Sequence, residues 1–379
     1  MVCIITIPAA TARQTLTNKI NRPDPPTRMV DSDYRRCLEL TRGAVVESIH
    51  FGALAVVEAT GRLVAWYGNP DTRTYLRSAA KPFQALPFIE RGGHTAYDLS
   101  PAEIALLCAS HSGTDQHVAV VQSIQAKTGV QEASLLCGTH PPLHEATAEA
   151  LRRRGEDPTP NRHNCSGKHT GMLAFARLRG WPEEDYIDLA HPAQQAILEA
   201  FAEMCDLPTT KIEIGIYGCS APNFAVPLRS AALAYARLCD PSGLPADRAV
   251  ACLTITAAMT AHPEMVAGPE RFDTCLMQVT QGRLLAKAGA EGYQSIGLLP
   301  GALGPGSPAL GIALKISDGD LKGRARPAVV LEVLNQLGVL SPEELAALAE
   351  FGPRLPIYNW RKLAVGEARP CFRLERDGR

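Results

Sequence analysis

The order of strand-type and helix-type segments is the feature that most restricts the fold of this chain. Residues 44–68 alternate and carry many β-branched side chains, which predicts the strands of a hairpin or meander. Two more strands are predicted near the carboxyl end, at 283–289 and 311–316. Helical periodicity fills the middle, near residues 115–128, 144–154, 168–179, 192–205, 224–238 and 246–260. We therefore expect a mixed α/β domain whose sheet joins both ends of the chain.

Local signals place some element ends more closely. A helix is predicted to begin near Ser78. The next helix begins at a capping box formed by Ser100 and Glu103, and it delivers Ser110 to its carboxyl end. Residues 212–219 are apolar and β-branched, so they predict a buried strand that ends at Cys219.

Composition excludes several classes of function. The 379 residues include 38 basic and 39 acidic side chains, so a net charge of −1 offers no attraction to nucleic acid or to an anionic membrane. No apolar run is long enough for a membrane helix. The 11 cysteines are scattered without a CxxC pair, which favours a reducing compartment, the cytoplasm. We expect residues 1–28 to be a poorly ordered extension and residues 29–379 to be a single catalytic domain with a mostly helical lobe at about 100–262.

Ser78 and Lys81 form the first candidate catalytic pair. Their spacing puts a hydroxyl and an amine on one face of a helix, one turn apart. A serine beside a lysine that can lose its proton is a nucleophile beside its base. The spacing is common by chance, however, and it equally fits a helix-capping serine beside a solvated lysine.

A second Ser–Lys pair, Ser110 and Lys287, follows in the order that penicillin-binding proteins and serine β-lactamases use. Those enzymes carry SxxK, then a second serine box, then Lys-Thr-Gly on a strand. Here the third box is Lys287-Ala288-Gly289, and there is no Ser-Asp-Asn box. Two ammonium groups in one cleft repel each other, which lowers the pKa of one lysine and prepares it as a base. The alternative for Lys287 is an ordinary strand lysine that faces solvent.

Two cysteines and a lysine form a possible metal site. Cys165 and Lys168 are three residues apart at a turn into a helix, and Cys219 follows the predicted strand at 212–219. Two thiolates and a nitrogen ligand suit zinc. The spacing is not a standard zinc signature, and buried free cysteines without a metal are the alternative.

Taken in order, these motifs resemble the Rhizobium etli-type L-asparaginases, the third structural class of asparaginase. The resemblance implies a fold related to the serine β-lactamases and glutaminases, with a central, mostly antiparallel sheet flanked by helices. It also implies a homodimer that hydrolyses L-asparagine to L-aspartate and ammonia. The matching segments are 77–84, 108–114, 137–138, 164–172, 217–222, 262–268 and 287–292.

The resemblance also implies roles for individual residues. Ser78 with Lys81 matches the first catalytic tandem, and Ser110 with Lys287 matches the second. A second group lies where the family binds zinc and the substrate carboxylate. Cys165, Lys168 and Cys219 match the Zn²⁺ ligands, and Arg77 and His169 match the surroundings of the α-carboxylate. The zinc is expected to tune substrate affinity rather than to generate the nucleophile.

Two other functions compete with this interpretation. One is a β-lactamase or D,D-peptidase, against which the Lys-Ala-Gly sequence at 287–289 argues. The other is a non-catalytic protein of the same fold that binds zinc or an amino acid. Because all four serine and lysine positions are intact, the sequence favours the enzyme.

Overall fold

The computed structural model describes residues 33–377. The predicted extension at 1–28 lies outside the described residues. The strands are β1 (Arg35–Arg42), β2 (Val45–Glu58), β3 (Leu63–Tyr67), β4 (Arg73–Tyr75), β5 (Glu213–Ile216), β6 (Pro222–Pro227), β7 (Leu284–Ala288), β8 (Tyr293–Leu298), β9 (Leu310–Ile316), β10 (Leu355–Tyr358), β11 (Ala364–Pro370) and β12 (Glu375–Arg376). The helices are α1 (Lys81–Glu90), α2 (Gly93–Ala96), α3 (Pro101–Leu107), α4 (Asp115–Thr128), α5 (Glu145–Arg154), α6 (Ser166–Arg179), α7 (Pro192–Met204), α8 (Leu228–Cys239), α9 (Ala246–Ala261), α10 (Pro263–Val266), α11 (Phe272–Val279), α12 (Ala325–Leu337) and α13 (Pro342–Ala347).

The main sheet contains strands from both ends of the described chain. Its order is β10-β11-β1-β2-β9-β8-β7, and β3 and β12 extend it beside β2. Every strand pair in it is antiparallel. The predicted mixed α/β class, with a central antiparallel sheet flanked by helices, is therefore confirmed.

Helix α8 lies directly against this sheet because glycines leave room for it. A Cβ atom on Gly311 of β9 would fall 1.8 Å from the carbonyl oxygen of Ala232 in α8. A Cβ atom on Gly297 of β8 would fall 2.5 Å from Sγ of Cys239. This close approach brings the buried side chain of Tyr235 toward the amino end of α1, beside the segment that holds Ser78.

A second, smaller sheet supports the segment that precedes α1. Its strand order is β4-β6-β5, with antiparallel pairing. Just after β4, the backbone N–H of Leu76 donates to the carbonyl oxygen of Phe224 in β6 at 3.1 Å. The residue that follows Leu76 therefore starts from a fixed position on this sheet.

Three local differences from the sequence expectations have physical causes. The strand predicted at 212–219 is wrong in extent and burial, because β5 ends at Ile216 and is an exposed edge strand. The helix predicted at 224–238 starts only at Leu228, since residues 222–227 pair as β6. The helix near Ser78 opens with a separate 3₁₀ turn, Arg77–Ala80, before α1. Within residues 33–377, no helix has the length and apolar character needed to cross a bilayer.

Candidate functional site

Ser78 lies in a tightly held turn. The preceding residue, Arg77, has a left-handed backbone with φ of 50°, which is strained for a residue with a side chain. Two buried tyrosines hold the carbonyl groups on either side of the serine. The hydroxyl of Tyr217 donates to the carbonyl oxygen of Arg77, and that of Tyr235 donates to Ala79 at 2.7 Å. The backbone around Ser78 is therefore fixed from two directions.

The end of β7 packs directly on this turn. Gly289 makes the approach possible, because a Cβ atom there would fall 2.4 Å from the carbonyl oxygen of Leu76. Only a residue without a side chain fits at this distance. The Lys-Ala-Gly motif and the Ser78 turn are thus brought together, as the sequence interpretation requires.

Lys81 is fully buried at the first position of α1. Its Nζ donates to the carbonyl oxygen of Ala109 at 2.6 Å and to that of Asn164 at 3.1 Å. Burial lowers the pKa of this amine, and the charge of Lys168 acts in the same direction while the Cys165 thiolate opposes it. Among the described residues, the Ser78 hydroxyl has no hydrogen-bond partner, so the two members of the pair are near neighbours without a direct bond.

Asn164 connects Lys81 to the second serine. Its carbonyl oxygen accepts from Lys81, and its side-chain Nδ2 donates to Oγ of Ser110 at 3.2 Å. The backbone N–H of Ser110 donates to Val266 at 3.0 Å, which holds the serine beside α10. Sequence reasoning placed Asn164 inside a motif but gave it no role.

Lys287 is buried on β7 and does not face solvent. Its Nζ donates to the carbonyl oxygen of Ala288 at 3.1 Å. Burial lowers the pKa of Lys287 to about 7, Asp273 opposes that shift, and Lys81 adds to it. The alternative of an ordinary strand lysine on the solvent face is therefore wrong, and this amine exchanges its proton near neutral pH.

Asp273 is a site residue that sequence reasoning missed. It is buried in α11, and its carboxylate accepts from the backbone N–H of Ala288 at 2.6 Å and from Nε2 of Gln294 at 3.0 Å. Arg326 lies 3.9 Å from the same carboxylate. These contacts anchor the Lys-Ala-Gly segment. The sequence offers no signal for this role, because an aspartate in the first turn of a helix is ordinary.

The three candidate metal ligands converge. Nζ of Lys168 lies 2.9 Å from Sγ of Cys219 and 4.5 Å from the centre of the Tyr217 ring. A hydrogen bond from Cys219, together with the nearby ammonium groups, holds the pKa of the Cys165 thiol well below its usual range. Burial would lower the pKa of Lys168, but the sulfur charges of Cys219 and Cys165 outweigh burial and raise it.

This cluster fits a soft divalent ion in its donor chemistry, with two sulfur atoms and one nitrogen atom. Across residues 33–377, no group of three or more His, Cys, Asp and Glu side chains is arranged to hold a metal. Any metal here would therefore depend on the Lys168 amine as a third protein ligand.

His169 is buried beside the same cluster. Its Nδ1 is 2.6 Å from the hydroxyl of Tyr186, and its Nε2 faces Cys219 without a well-directed hydrogen bond. Burial and the charge of Lys168 lower the pKa of His169 to about 4. The ring is neutral at neutral pH, so it offers no positive charge to a carboxylate, whereas the partly exposed guanidinium of Arg77 does.

Comparison with known proteins gives this site a context. The family model described as L-asparaginase II matches residues 38–370. No curated protein sequence matches the chain.

Several solved structures of glutaminases also match. One is a Bacillus subtilis glutaminase in covalent complex with 5-oxo-L-norleucine, at 13% identity and a TM-score of 0.35, covering 77% of this chain and 89% of that one. Another is a Bacillus glutaminase at 11% identity and a TM-score of 0.36, covering 76% and 92%. Because these TM-scores lie below 0.5, we base the assignment on the family model alone. That model spans the candidate site from Ser78 to Lys287, and the chain belongs to the L-asparaginase II family.

Proposed function

We propose that this protein is an L-asparagine amidohydrolase that works through an acyl-enzyme at Ser78. The observation that carries the proposal is the family match over residues 38–370. The buried Lys81 and Lys287 beside the Ser78 turn support it, because an acyl transfer to serine needs a base that is neutral near physiological pH.

The contacts of Lys81 suit it to act as this base. A neutral amine has two N–H groups and one lone pair. The carbonyl oxygens of Ala109 and Asn164 accept the two N–H groups. Nζ also has a side-chain hydrogen bond with Cys165. In the reactive state the lone pair takes the place of this third contact and accepts the proton of the Ser78 hydroxyl as its oxygen attacks the side-chain amide carbon.

The remaining steps use the same groups. The oxyanion that develops would be held by backbone N–H groups at the start of the 3₁₀ turn, where the first N–H groups of a helical segment lack intrahelical acceptors. The proton held by Lys81 passes to the leaving nitrogen, and ammonia departs. Water then hydrolyses the β-aspartyl ester and releases aspartate. Ser110 and Lys287 tune Lys81 and assist these proton transfers.

We also propose that Cys165, Lys168 and Cys219 bind one Zn²⁺ per chain. The convergence of their donor atoms and the lowered pKa of Cys165 support this. Bound zinc would neutralise the thiolate charge that otherwise favours the protonated form of Lys81. Elemental analysis of the purified protein tests the proposal, and a protein without zinc contradicts it.

We also propose that the protein is a homodimer located in the cytoplasm. The cysteines of the described residues are all unpaired, which is the state that a reducing compartment maintains. Sedimentation at several protein concentrations measures the oligomeric state, and a monomer at all of them would contradict the dimer.

Ammonia release from L-asparagine and L-glutamine, measured side by side, tests the enzyme assignment. We expect release from asparagine, with little or none from glutamine, and its loss in Ser78→Ala. Ser112→Ala is the matched control, because its hydroxyl donates to the carbonyl oxygen of Ala267 instead of facing Lys81. Full activity in Ser78→Ala would show that Ser78 is not the nucleophile. A wild-type protein that releases ammonia from neither asparagine nor glutamine, but hydrolyses the β-lactam nitrocefin, would favour the β-lactamase or D,D-peptidase alternative.

A further inference from the structure

A cleft beside the Ser78 turn holds charged groups that the mechanism above does not use. Arg77 and Glu291 face each other there, with Nη1 of the arginine 4.0 Å from Oε1 of the glutamate. Both residues have left-handed backbones, with φ of 50° and 57°. Their side chains are 30% and 59% exposed, so both are accessible to a ligand.

Asn223 lines the same cleft and lacks a partner. It is 3% exposed, and its Oδ1 accepts no hydrogen bond from any residue within 33–377. A buried polar atom without a partner is costly unless a ligand or water satisfies it. The cleft thus has an exposed carboxylate and, enclosed in its wall, an unpartnered amide oxygen; both are acceptors, and Arg77 places a guanidinium in the same lining.

The other acidic group of the site is already engaged. Asp273 accepts from the backbone N–H of Ala288 and from Gln294. The remaining charged side chains around Ser78 include the lysines at 81, 168 and 287. Among residues 33–377, Glu291 is the carboxylate that lines the cleft itself, so it is the group placed to meet a cationic ligand group. Lys315, which also lines the cleft, adds a second positive charge near it.

We propose that Glu291 and Asn223 bind the α-ammonium group of the substrate, beside the Arg77 guanidinium that the family resemblance places at its α-carboxylate. This proposal rests on the proposed function and deepens it, because it names the residues that recognise the α-ammonium group of asparagine. In asparagine the α-carbon is two bonds from the amide carbon that Ser78 attacks. The groups that hold the α-substituents must therefore adjoin Ser78. Arg77 precedes it directly, and Glu291 follows the Gly289 segment that packs on Leu76.

A pair of substrates isolates the α-ammonium contact. Succinamate is L-asparagine without its α-ammonium group, so it retains the amide and the carboxylate. We expect Glu291→Gln to lower kcat/KM for L-asparagine by about tenfold, mainly through KM, because a charge-assisted hydrogen bond is lost. The same variant should leave kcat/KM for succinamate, or its inhibition constant against asparagine, within about twofold.

Two further variants make the test specific. Asn223→Leu keeps the size of the side chain and removes the unpartnered acceptor. It should therefore also lower kcat/KM for asparagine and leave kcat/KM for succinamate unchanged. Glu213→Gln is the matched control, since it removes one exposed negative charge from β5 beside the cleft and should alter neither substrate.

The outcomes separate this proposal from the function on which it rests. Selective loss on asparagine in Glu291→Gln supports it. An equal loss on both substrates assigns Glu291 a structural role and overturns it, as does unchanged activity on asparagine. If the wild type releases no ammonia from L-asparagine or L-glutamine, the proposed function itself is wrong. If the wild type hydrolyses asparagine but Glu291→Gln affects asparagine and succinamate alike, only the ammonium site is wrong.

Discussion

Replacing Lys287 by methionine is expected to stabilise the protein while it abolishes activity. A fully buried ammonium group costs free energy that a neutral side chain does not. Methionine is unbranched and of similar length, so it fills the same space without a charge. The contacts of Asp273 with Ala288 and Gln294 are retained in the variant.

The size of the effect follows from the pKa of Lys287. That pKa falls from 10.5 to about 7, a difference worth about 5 kcal/mol in the free energy of unfolding. Between these values the unfolded chain binds a proton and the folded chain does not, so the stability of the wild type rises with pH. Below pH 7 both states are protonated and the full penalty applies. The penalty is about 4 kcal/mol at pH 7 and about 2 kcal/mol at pH 9.

Urea denaturation of both proteins at several values between pH 6.5 and 9.5 measures this difference. The advantage of Lys287→Met should shrink by about 2 kcal/mol between pH 7 and pH 9. Lys211→Met, at an exposed lysine, should show no such trend. A stability difference for Lys287→Met that does not change with pH would refute the reasoning, because a buried amine of ordinary pKa has no linkage in this range.

Other variants test neighbouring features. Asp273→Asn removes the carboxylate charge that raises the pKa of Lys287. In the pH profile of kcat/KM, the fall on the acidic side should therefore move below pH 7. A fall at the same pH as in the wild type would contradict this. Gly289→Ala places a Cβ atom 2.4 Å from the carbonyl oxygen of Leu76. The variant should lose about 1–3 kcal/mol of stability and have a lower kcat. A variant as stable as the wild type would contradict this close packing. Cys165→Ser should lower bound zinc, by elemental analysis, and raise KM for asparagine more than it lowers kcat; unchanged zinc content argues against the ligand.

Much of the fold could be predicted because its signals are local. The capping box of Ser100 and Glu103 is present as predicted, and helices such as Asp115–Thr128 end within a residue or two of the expected positions. The exposure of β5 could not be predicted, because an edge position depends on which strands pair on either side. The same holds for the 3₁₀ turn around Ser78, whose carbonyl groups are held by tyrosines far away in sequence.

The residues of the site were accessible to sequence reasoning through their motifs, but their chemical states were not. Nothing in the spacing of Ser78 and Lys81 indicates that the amine donates to the carbonyl oxygens of residues 109 and 164. Nothing around Lys287 indicates that it is buried opposite Asp273. These partners come from separate segments, and only the assembled structure brings them together.

Three lysines can be buried close to one another because the folded domain gives each of them a different environment. Lys168 is compensated by cysteine sulfur and Lys287 is partly compensated by Asp273, whereas the pKa of Lys81 is lowered by burial. The carbonyl groups that receive Lys81 belong to the end of α3 and to the loop before α6, which must dock before the amine is desolvated. The basicity of Lys81 is therefore a property of the folded domain rather than of the SxxK motif. A serine and a lysine at this spacing on an isolated helix would keep ordinary pKa values and would not form a nucleophile and its base.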